Sequence, residues 1–340
     1  MQEHADSTSR ILLNHGAGGR LSRDLVESLF AARFRNPTLD ERTDAALLPA
    51  MSGRIAFTTD GYVVWPLFFP GGSIGTLAVC GTVNDLAVGG AVPLALSAAF
   101  VLEEGLSIAE LRCVAASMGA AALRCDVEVV TGDTKVVERG HGDGLYIVTA
   151  GVGRLRSEPP TGPSTVCLGD EVVVSGPVGD HGAIIAALRN GLDPGALTSD
   201  CGPVLPLVDA LYGAGIRPRF LRDPTRGGLA TVLAEFAKEA GVTVELREAD
   251  VPVRDEVRAV CDLLGLDPLF LACEGRVVAV VPGGQGDAAV AAFAVLPEGR
   301  GAAVAGRIVP REAGPVALAT RYGGRRLYDT PTSEPLPRIC

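Results

Sequence analysis

Apolar positions along the chain fall into two alternating kinds of segment. Short runs rich in valine and alanine, such as Leu94–Val101 and Leu145–Val152, predict strands. Longer apolar stretches, such as Ile74–Val88 and Leu106–Leu123, predict helices, and Ser107 is a suitable N-cap for the second. This alternation predicts an α+β protein.

The rest of the first half follows the same pattern. An amphipathic helix is predicted from about Ser22, as N-cap, to Phe34. Strands are predicted at Ala45–Leu48, Arg54–Thr59 and Glu128–Thr131. Asp60-Gly61 predicts a turn after the second of these strands, and the segment from Gly132 to Lys135 predicts a loop after the third.

The second half repeats the alternation of strands and helices. Predicted strands are Glu171–Ser175, Val242–Leu246 and Val277–Val281; predicted helices are Gly182–Arg189, Val204–Tyr212, Leu229–Ala240, Arg254–Leu264 and Ala288–Leu296. Val316–Thr320 and Arg325–Tyr328 are expected to pair as a hairpin around Gly323-Gly324. His181 is expected to be a cap or loop residue.

Proline and polar residues divide the chain into four parts. Residues 1–10 are polar and predict a disordered leader, and 11–155 form a first domain. The polar, proline-bearing stretch 154–167 is the best boundary, so 160–330 form a second α+β domain. Residues 331–340 contain three prolines and predict an extended, flexible tail that ends in Cys340.

Composition excludes several classes of protein. The 340 residues are 47% hydrophobic and carry a net charge of −10, which argues against a nucleic-acid surface. No apolar run reaches bilayer length, so no membrane contact is expected. The eight cysteines form no Cys-x-x-Cys pair, and several lie inside apolar runs. This usage predicts a protein of the reducing cytoplasm.

Five aspartates form the main chemical pattern. Most of them stand where an apolar element meets a turn, and any one of them alone is explained by capping or turn formation. Together, beside glycine-rich loops, they favour a site for Mg²⁺ and a polyphosphate. The chain has no P-loop motif. The five are Asp44, Asp60, Asp85, Asp133 and Asp223.

Three further residues are candidates for chemistry. Lys135 is one of only two lysines, and its ammonium is suited to neutralise a transferring phosphoryl group. Glu274 stands before a predicted strand and is a candidate base. The sulfur of Cys340 can be carried on the tail into a cleft.

Several segments together closely resemble one family, the carbamoyl dehydratases of NiFe-hydrogenase maturation (HypE), within the superfamily of aminoimidazole ribonucleotide synthetase-like ATP enzymes. The resemblance covers nearly the whole chain from His15 onward, and the terminal Pro-Arg-Ile-Cys discriminates this family from other branches. The segments are His15–Arg20, Thr59–Gly61, Ala78–Val88, Gly132–Val136, Arg222–Leu229, Cys273–Val278 and Leu336–Cys340.

The resemblance implies the superfamily's two-domain fold, in which N-terminal sheets of a homodimer form a barrel-like interface with ATP between the subunits. It also implies a reaction. A carbamoyltransferase, HypF, carbamoylates Cys340. ATP then drives dehydration of the thiocarbamate to a thiocyanate, and cyanide passes to the hydrogenase iron through a HypC–HypD scaffold complex.

The resemblance further assigns roles to residues. Cys340, Lys135 and Glu274 would be catalytic, and Asp44, Asp85 and Asp223 would hold Mg²⁺. The expected nucleotide contacts are His15, Gly16, Gly18, Gly19, Asp60, Asn84, Gly132, Asp133 and Thr134.

Two alternatives stay open from the sequence. One is another ATP-dependent synthetase of the superfamily, such as a selenophosphate synthetase, although no cysteine precedes Cys80. The other is a non-catalytic scaffold that binds nucleotide and docks partners through its tail.

Overall fold

The structure, a computed structural model, describes residues 9–50, 52–332, 336, 339 and 340. Two separate sheets organise it, and the stretch 156–170 connects them. Helices pack on both sheets, so the predicted α+β class is confirmed. Within the described residues, no helix is long and apolar enough to cross a membrane.

The N-terminal sheet has four strands. In spatial order they are β1 (Ile55–Tyr62), β6 (Leu145–Leu155), β4 (Ala91–Glu103) and β5 (Glu128–Val137). All neighbours are antiparallel except β4 and β5, which are parallel and joined by the helix α5 (Ile108–Arg124). The helix α4 (Ile74–Val88) packs on the same face as α5. Ser73 and Ser107 cap the two helices, as the sequence predicts for the second.

The other face of this sheet, called here the outer face, is apolar and uncovered. Burial alternates along β1 and β6 with a period of two, so one side chain in two points outward. Phe57 is 69% exposed and Val148 is 42% exposed on that face. An apolar sheet face left in water is typical of an interface with another chain.

Two predicted turns are instead parts of strands. Asp60-Gly61 lies inside β1, where Asp60 pairs with Thr149 of β6. The segment from Gly132 to Lys135 continues β5, where Asp133 pairs with Ala99 of β4. Turn-forming residues take an extended conformation here because the neighbouring strands supply the ladder of hydrogen bonds.

The predicted N-terminal helix exists, but its cap differs. It runs as α1 (Arg20–Leu25), a π-helical segment (Val26–Ala31) and α2 (Ala32–Phe34), with Gly19 at the N-cap. The Ser22 hydroxyl accepts a hydrogen bond from the Gly18 N–H at 3.0 Å, so it stabilises the preceding loop.

One other expectation at this end of the chain is wrong. Ala45–Leu48 is not a strand; it lies in an irregular, mostly exposed segment after α3 (Pro37–Asp40). Residues 1–8 of the predicted leader lie outside the described residues. Ser9 and Arg10 are ordered beside α5, where the Ser9 carbonyl accepts from the Ile108 N–H at 3.1 Å.

The C-terminal sheet has seven strands. In spatial order they are β13 (Arg325–Tyr328), β12 (Val316–Ala319), β9 (Thr243–Arg247), β11 (Ala303–Val309), β7 (Glu171–Val174), β10 (Val278–Val281) and β8 (Phe220–Arg222). The predicted hairpin is confirmed by the antiparallel pairing of β12 with β13. Strands β8 and β11 were not predicted. A short hairpin, β2 (Phe68–Phe69) with β3 (Gly72–Ser73), belongs to neither sheet.

The predicted helices of the second half are confirmed with small shifts of their ends. They are α6 (Asp180–Arg189), α7 (Leu205–Gly213), α8 (Gly228–Ala240), α9 (Asp255–Leu264) and α10 (Gly286–Ala294). Short 3-10 turns lie at Leu13–Gly16, Pro163–Thr165, Pro268–Phe270 and Pro297–Gly299. His181 is not a loop residue but lies buried in the first turn of α6.

The end of the chain contacts both halves of the protein. Ile339 is buried in the main hydrophobic core, and the Cys340 carbonyl accepts a hydrogen bond from the Val63 N–H at 3.1 Å. Residues 333–335, 337 and 338 of the predicted tail lie outside the described residues. In this structure the described end of the tail is therefore docked against the body of the protein.

Candidate functional site

Cys340 and Glu274 meet in a buried cleft. Glu274 stands in the irregular segment before β10 and is almost fully buried. The Cys340 thiol lies beside this carboxyl group, close enough for each group to shift the pKa of the other. One of its oxygens, Oε1 of Glu274, is buried and has no hydrogen-bond partner among the described residues. A buried polar atom without a partner is costly, so its presence indicates a functional group.

Burial and charge shift the protonation of both groups. Burial, followed by Asp223 and Asp200, raises the pKa of the Glu274 carboxyl well above its ordinary range. Burial and the neighbouring Glu274 raise the pKa of the Cys340 thiol. The docked sulfur is therefore a neutral thiol, and Glu274 is a strong base once it is ionised.

Three of the predicted aspartates lie together beside this pair. Thr58 on β1 donates to Oδ2 of Asp85 on α4 at 2.9 Å. Burial and then Asp85 raise the pKa of Asp223 to about 7, and Asp60 acts in the same direction. Burial also raises the pKa of Asp85. Carboxylates that raise one another's pKa mark a site suited to a cation.

The negative charge of these three aspartates suits Mg²⁺, but they do not supply a full set of ligands for the ion. Among the residues described here, no three His, Cys, Asp or Glu side chains are placed to hold a metal ion alone. Mg²⁺ is often bound by only one or two carboxylates when substrate phosphates supply the other oxygen ligands. Asp85 and Asp223 are suited to be those two carboxylates. Asp44 does not join them: it is exposed in the irregular segment before β1 and is not among the charges that act on Asp223.

Asn84, predicted to contact nucleotide, is occupied by the protein itself. Its Nδ2 donates to the Gly202 carbonyl at 3.0 Å and to the Glu274 carbonyl at 3.5 Å. Its Oδ1 accepts from the Val204 N–H at 2.8 Å. Asn84 therefore ties α4, which also carries Asp85, to the backbone that carries Glu274.

Asp200 is a residue of the site that the sequence did not indicate. Its two carboxylate oxygens accept from the backbone N–H groups of Glu274 and Gly275, each at 3.2 Å. A Cβ on Gly275 would lie 1.9 Å from the Asp200 carbonyl oxygen, so only glycine allows this approach. No local pattern marks Asp200, because its partners are more than seventy residues away.

The predicted nucleotide contacts of the segment from His15 to Gly19 meet those of β5 at the opposite edge of the N-terminal sheet. His15, Gly16 and Gly18 line a cavity of about 270 Å³ together with Gly132, Asp133, Thr134 and Lys135. Gly16 is required there, since a Cβ would lie 2.5 Å from the Val136 nitrogen. Gly19 adjoins this group as the N-cap of α1. The predicted nucleotide residues are thus in two groups, one at each edge of the sheet.

Lys135 belongs to the second group and is paired. Its Nζ lies 3.0 Å from Oδ2 of Asp133, and both side chains project from the edge strand β5. Asp60 is on β1 at the other edge, three strand spacings away, or ~14 Å at about 4.8 Å per spacing. Within one chain, Lys135 therefore does not reach the cleft that holds Glu274.

Models of two domain families match this chain. The N-terminal domain of AIR synthase related proteins matches residues 42–155, and the C-terminal domain of the same proteins matches residues 168–318. The two matches coincide with the two sheets, and the fold is the two-domain AIR synthase-like fold with mixed α and β elements.

Full-length relatives are similar over nearly the whole chain. The carbamoyl dehydratase HypE of Rhodobacter capsulatus is 48% identical over 337 residues, which cover 97% of this chain and 98% of the relative. A crystal structure of HypE in complex with ATP matches with a TM-score of 0.92 and 44% identity, covering 97% of this chain and 99% of that one. A HypE–HypF complex matches with a TM-score of 0.78 and 40% identity, covering 92% of this chain and 100% of that one.

Proposed function

Since the chain belongs to the HypE family of carbamoyl dehydratases, we propose that it uses ATP to dehydrate an S-carbamoyl group on Cys340 to a thiocyanate. The thiocyanate supplies the cyanide ligand for the iron of a NiFe-hydrogenase. The observation that carries the proposal is the buried contact of the Cys340 thiol with Glu274, beside a cluster of aspartates.

Dehydration of the thiocarbamate has three requirements, and residues of the cleft are suited to them. An amide oxygen leaves poorly, so it attacks the γ-phosphorus of ATP and then departs as phosphate. Two N–H protons must be lost for the nitrile to form, and ionised Glu274 is placed beside the sulfur that carries the amide. Water must be excluded, and the cleft is buried. Overall, thiocarbamate and ATP give thiocyanate, ADP, phosphate and a proton.

The aspartates supply the charge for nucleotide binding. Asp85 and Asp223 would hold Mg²⁺, with Asp60 beside them, and the metal would neutralise charge on the phosphates. The glycine-rich segment from His15 to Gly19 and β5 residues Gly132, Asp133 and Thr134 would contact the nucleotide.

The site is completed in a homodimer. Exposed Phe57 and Val148 make the outer face of the N-terminal sheet suitable for burial against a second copy. Asp133 pairs with Ala99, and Ala99 pairs with the outward-facing Val148, so Asp133 and Lys135 lie on that face. We infer that Lys135 of the partner subunit acts in the cleft that Lys135 of the same chain does not reach.

Cys340 serves as a carrier between sites, so its chain end must leave the cleft. A carbamoyltransferase of the HypF kind would load the sulfur, in line with the complex formed by the related HypE. A HypC–HypD scaffold would then accept cyanide. We place this exchange in the reducing cytoplasm, in line with the free thiols of the eight cysteines.

Intact mass spectrometry tests the proposal. Protein carbamoylated by HypF is treated with ATP and Mg²⁺, and it is expected to lose the mass of one water. The Cys340→Ala variant is expected to show neither the modification nor the loss. The Cys167→Ala variant, which removes an exposed cysteine outside the cleft, is the matched control and is expected to behave as wild type.

A second measurement separates the enzyme from a nucleotide-binding scaffold. Glu274→Gln keeps the shape of the side chain but removes the base. Carbamoylated Glu274→Gln protein is expected to bind ATP and keep its carbamoyl mass. Wild-type protein that retains the carbamoyl group in the presence of ATP would show that the dehydratase proposal is wrong.

A further inference from the structure

A buried histidine contacts the docked end of the chain outside the acidic cluster. His181 on α6 is fully buried, and its Nε2 lies 2.8 Å from the Ile339 carbonyl oxygen. A carbonyl only accepts, so Nε2 carries the proton and donates. The ring lies edge-on to Phe69 at a centroid distance of 5.2 Å. The proposed chemistry makes no use of this imidazole.

Ser199 fixes the tautomer that this contact needs. The Ser199 hydroxyl lies 2.8 Å from Nδ1 of His181. Burial lowers the pKa of His181, so the ring is neutral and its Nδ1 accepts from Ser199. Ser199 Oγ in turn accepts from the Cys201 N–H at 3.0 Å. The imidazole is therefore set to present one N–H to the incoming backbone.

Two further contacts of the chain end agree with this arrangement. The Ile339 side chain is buried in the main core, and the Val63 N–H donates to the Cys340 carbonyl. When the segment leaves, the buried His181 donor and the half-buried Val63 donor lose these protein partners, and an apolar site opens. Both effects favour the docked state.

We propose that His181, oriented by Ser199, is the positioning residue for Cys340, because it holds the chain end in the cleft through the Ile339 carbonyl. The consequence for catalysis rests on the proposed function. Dehydration takes place with Cys340 docked and carbamoylation with Cys340 outside, so His181 sets the balance between the two half-reactions.

Alkylation of Cys340 by iodoacetamide tests the proposal on the full-length protein without nucleotide. The docked thiol is half-buried and neutral, so the labelling rate rises with the undocked fraction. His181→Phe keeps the aromatic ring and removes the hydrogen bond; it is expected to raise the labelling rate of Cys340 about five- to tenfold. His181→Gln restores an N–H donor and is expected to lie closer to wild type.

Exposed Cys113 and Cys167 are internal controls, and their rates are expected to stay the same. Labelling of buried Cys80 would reveal unfolding, in which case Ser199→Ala provides the same test with His181 retained. A Cys340 rate within twofold of wild type in folded His181→Phe and Ser199→Ala proteins would overturn the proposal.

The rates of carbamoylation and of dehydration give a second, separate test of the role of His181. In His181→Phe, dehydration of carbamoylated protein is expected to slow because the chain end is held less precisely in the cleft, while carbamoylation by HypF is not reduced. A rise in labelling together with no dehydration by wild-type protein would support the role of His181 and reject the proposed function. Equal slowing of both half-reactions would contradict the role of His181.

Discussion

Asp200 accepts hydrogen bonds from the backbone of Glu274, and its side chain is completely buried. The same carboxylate lies 3.6 Å from Nε of Arg276. It is also one of the charges that raise the pKa of Glu274. Asp200 therefore controls both the position and the protonation of the proposed base.

The Asp200→Asn variant is expected to slow dehydration about 10- to 100-fold at saturating ATP, because small misplacements of a reacting group have effects of this size. An amide has one accepting oxygen, so the N–H of Glu274 or of Gly275 loses its partner. The KM for ATP should change little, since Asp200 does not contact the predicted nucleotide residues. Single-turnover mass spectrometry measures the rate.

Asp287→Asn is the matched control, because Asp287 is an exposed aspartate in the first turn of α10. It is expected to retain the wild-type rate. If Asp200→Asn also retained that rate, orientation of Glu274 through its backbone would not matter for the reaction.

The parts of the fold that the sequence predicted well have uniform local patterns. The bounds of α4 agree with the prediction, and α5 begins after the Ser107 cap as expected. Asp60-Gly61 misled the prediction because pairing with β6 overrides its turn preference. Strand β11 was not predicted because Gly306 and Arg307 interrupt its apolar run.

The residues of the candidate site also separate into those that the sequence predicted and those that it did not. Asp60, Asp85, Asp223, Glu274 and Cys340 were predicted from motifs and do lie together. Asp200 and His181 were not, because each acts through a backbone group far away in the sequence, and such pairings leave no local trace. Asn84 was assigned to nucleotide because the sequence does not show that its amide is already bonded.

Asp180 makes the stability of the protein depend on pH. It is buried beside Arg254 and Arg276, yet burial and then Asp200 raise its pKa from 3.8 to about 6. Between these values the folded state binds more protons than the unfolded state. The free energy of unfolding therefore falls as pH rises through this window, by about 3 kcal/mol for two pKa units.

Asp180→Asn removes this contribution. We compare the free energy of unfolding of wild type with that of the variant. The value for wild type minus that for the variant is expected to be about 2 kcal/mol larger at pH 4 than at pH 7. Urea denaturation at both values measures it. The same difference at both pH values would show that Asp180 titrates normally in the folded protein.

Phe57→Asp is expected to break the proposed homodimer. The substitution places a charge on the outer face, and a charge buried there without a partner is unfavourable. The monomer should stay folded, because Phe57 is 69% exposed in the isolated chain. Sedimentation velocity measures the change in mass, and circular dichroism checks the fold.

Leu263→Asp is the matched control, since Leu263 is 72% exposed on α9 of the other domain. This variant is expected to remain dimeric. Dimeric Phe57→Asp protein would place the interface elsewhere. Monomeric Phe57→Asp protein with full dehydratase activity would show that the partner subunit supplies nothing to the site.

Mixed dimers test directly which subunit supplies Lys135. Lys135→Ala and Cys340→Ala are each expected to lower dehydration at least tenfold as homodimers, because each removes a group proposed to act in the reaction. In a mixed dimer, one cleft combines Cys340 of the first variant with Lys135 of the second. If Lys135 acts across the interface, this cleft has both groups and recovers activity.

The expected recovery follows from random exchange. Equal amounts of the two variants give about half mixed dimers, each with one complete cleft out of two, so about one quarter of wild-type activity returns. If Lys135 acts within its own chain, no cleft contains both groups and the mixture stays inactive. Mixing Glu274→Gln with Cys340→Ala is the control: Glu274 contacts Cys340 of the same chain, so no recovery is expected.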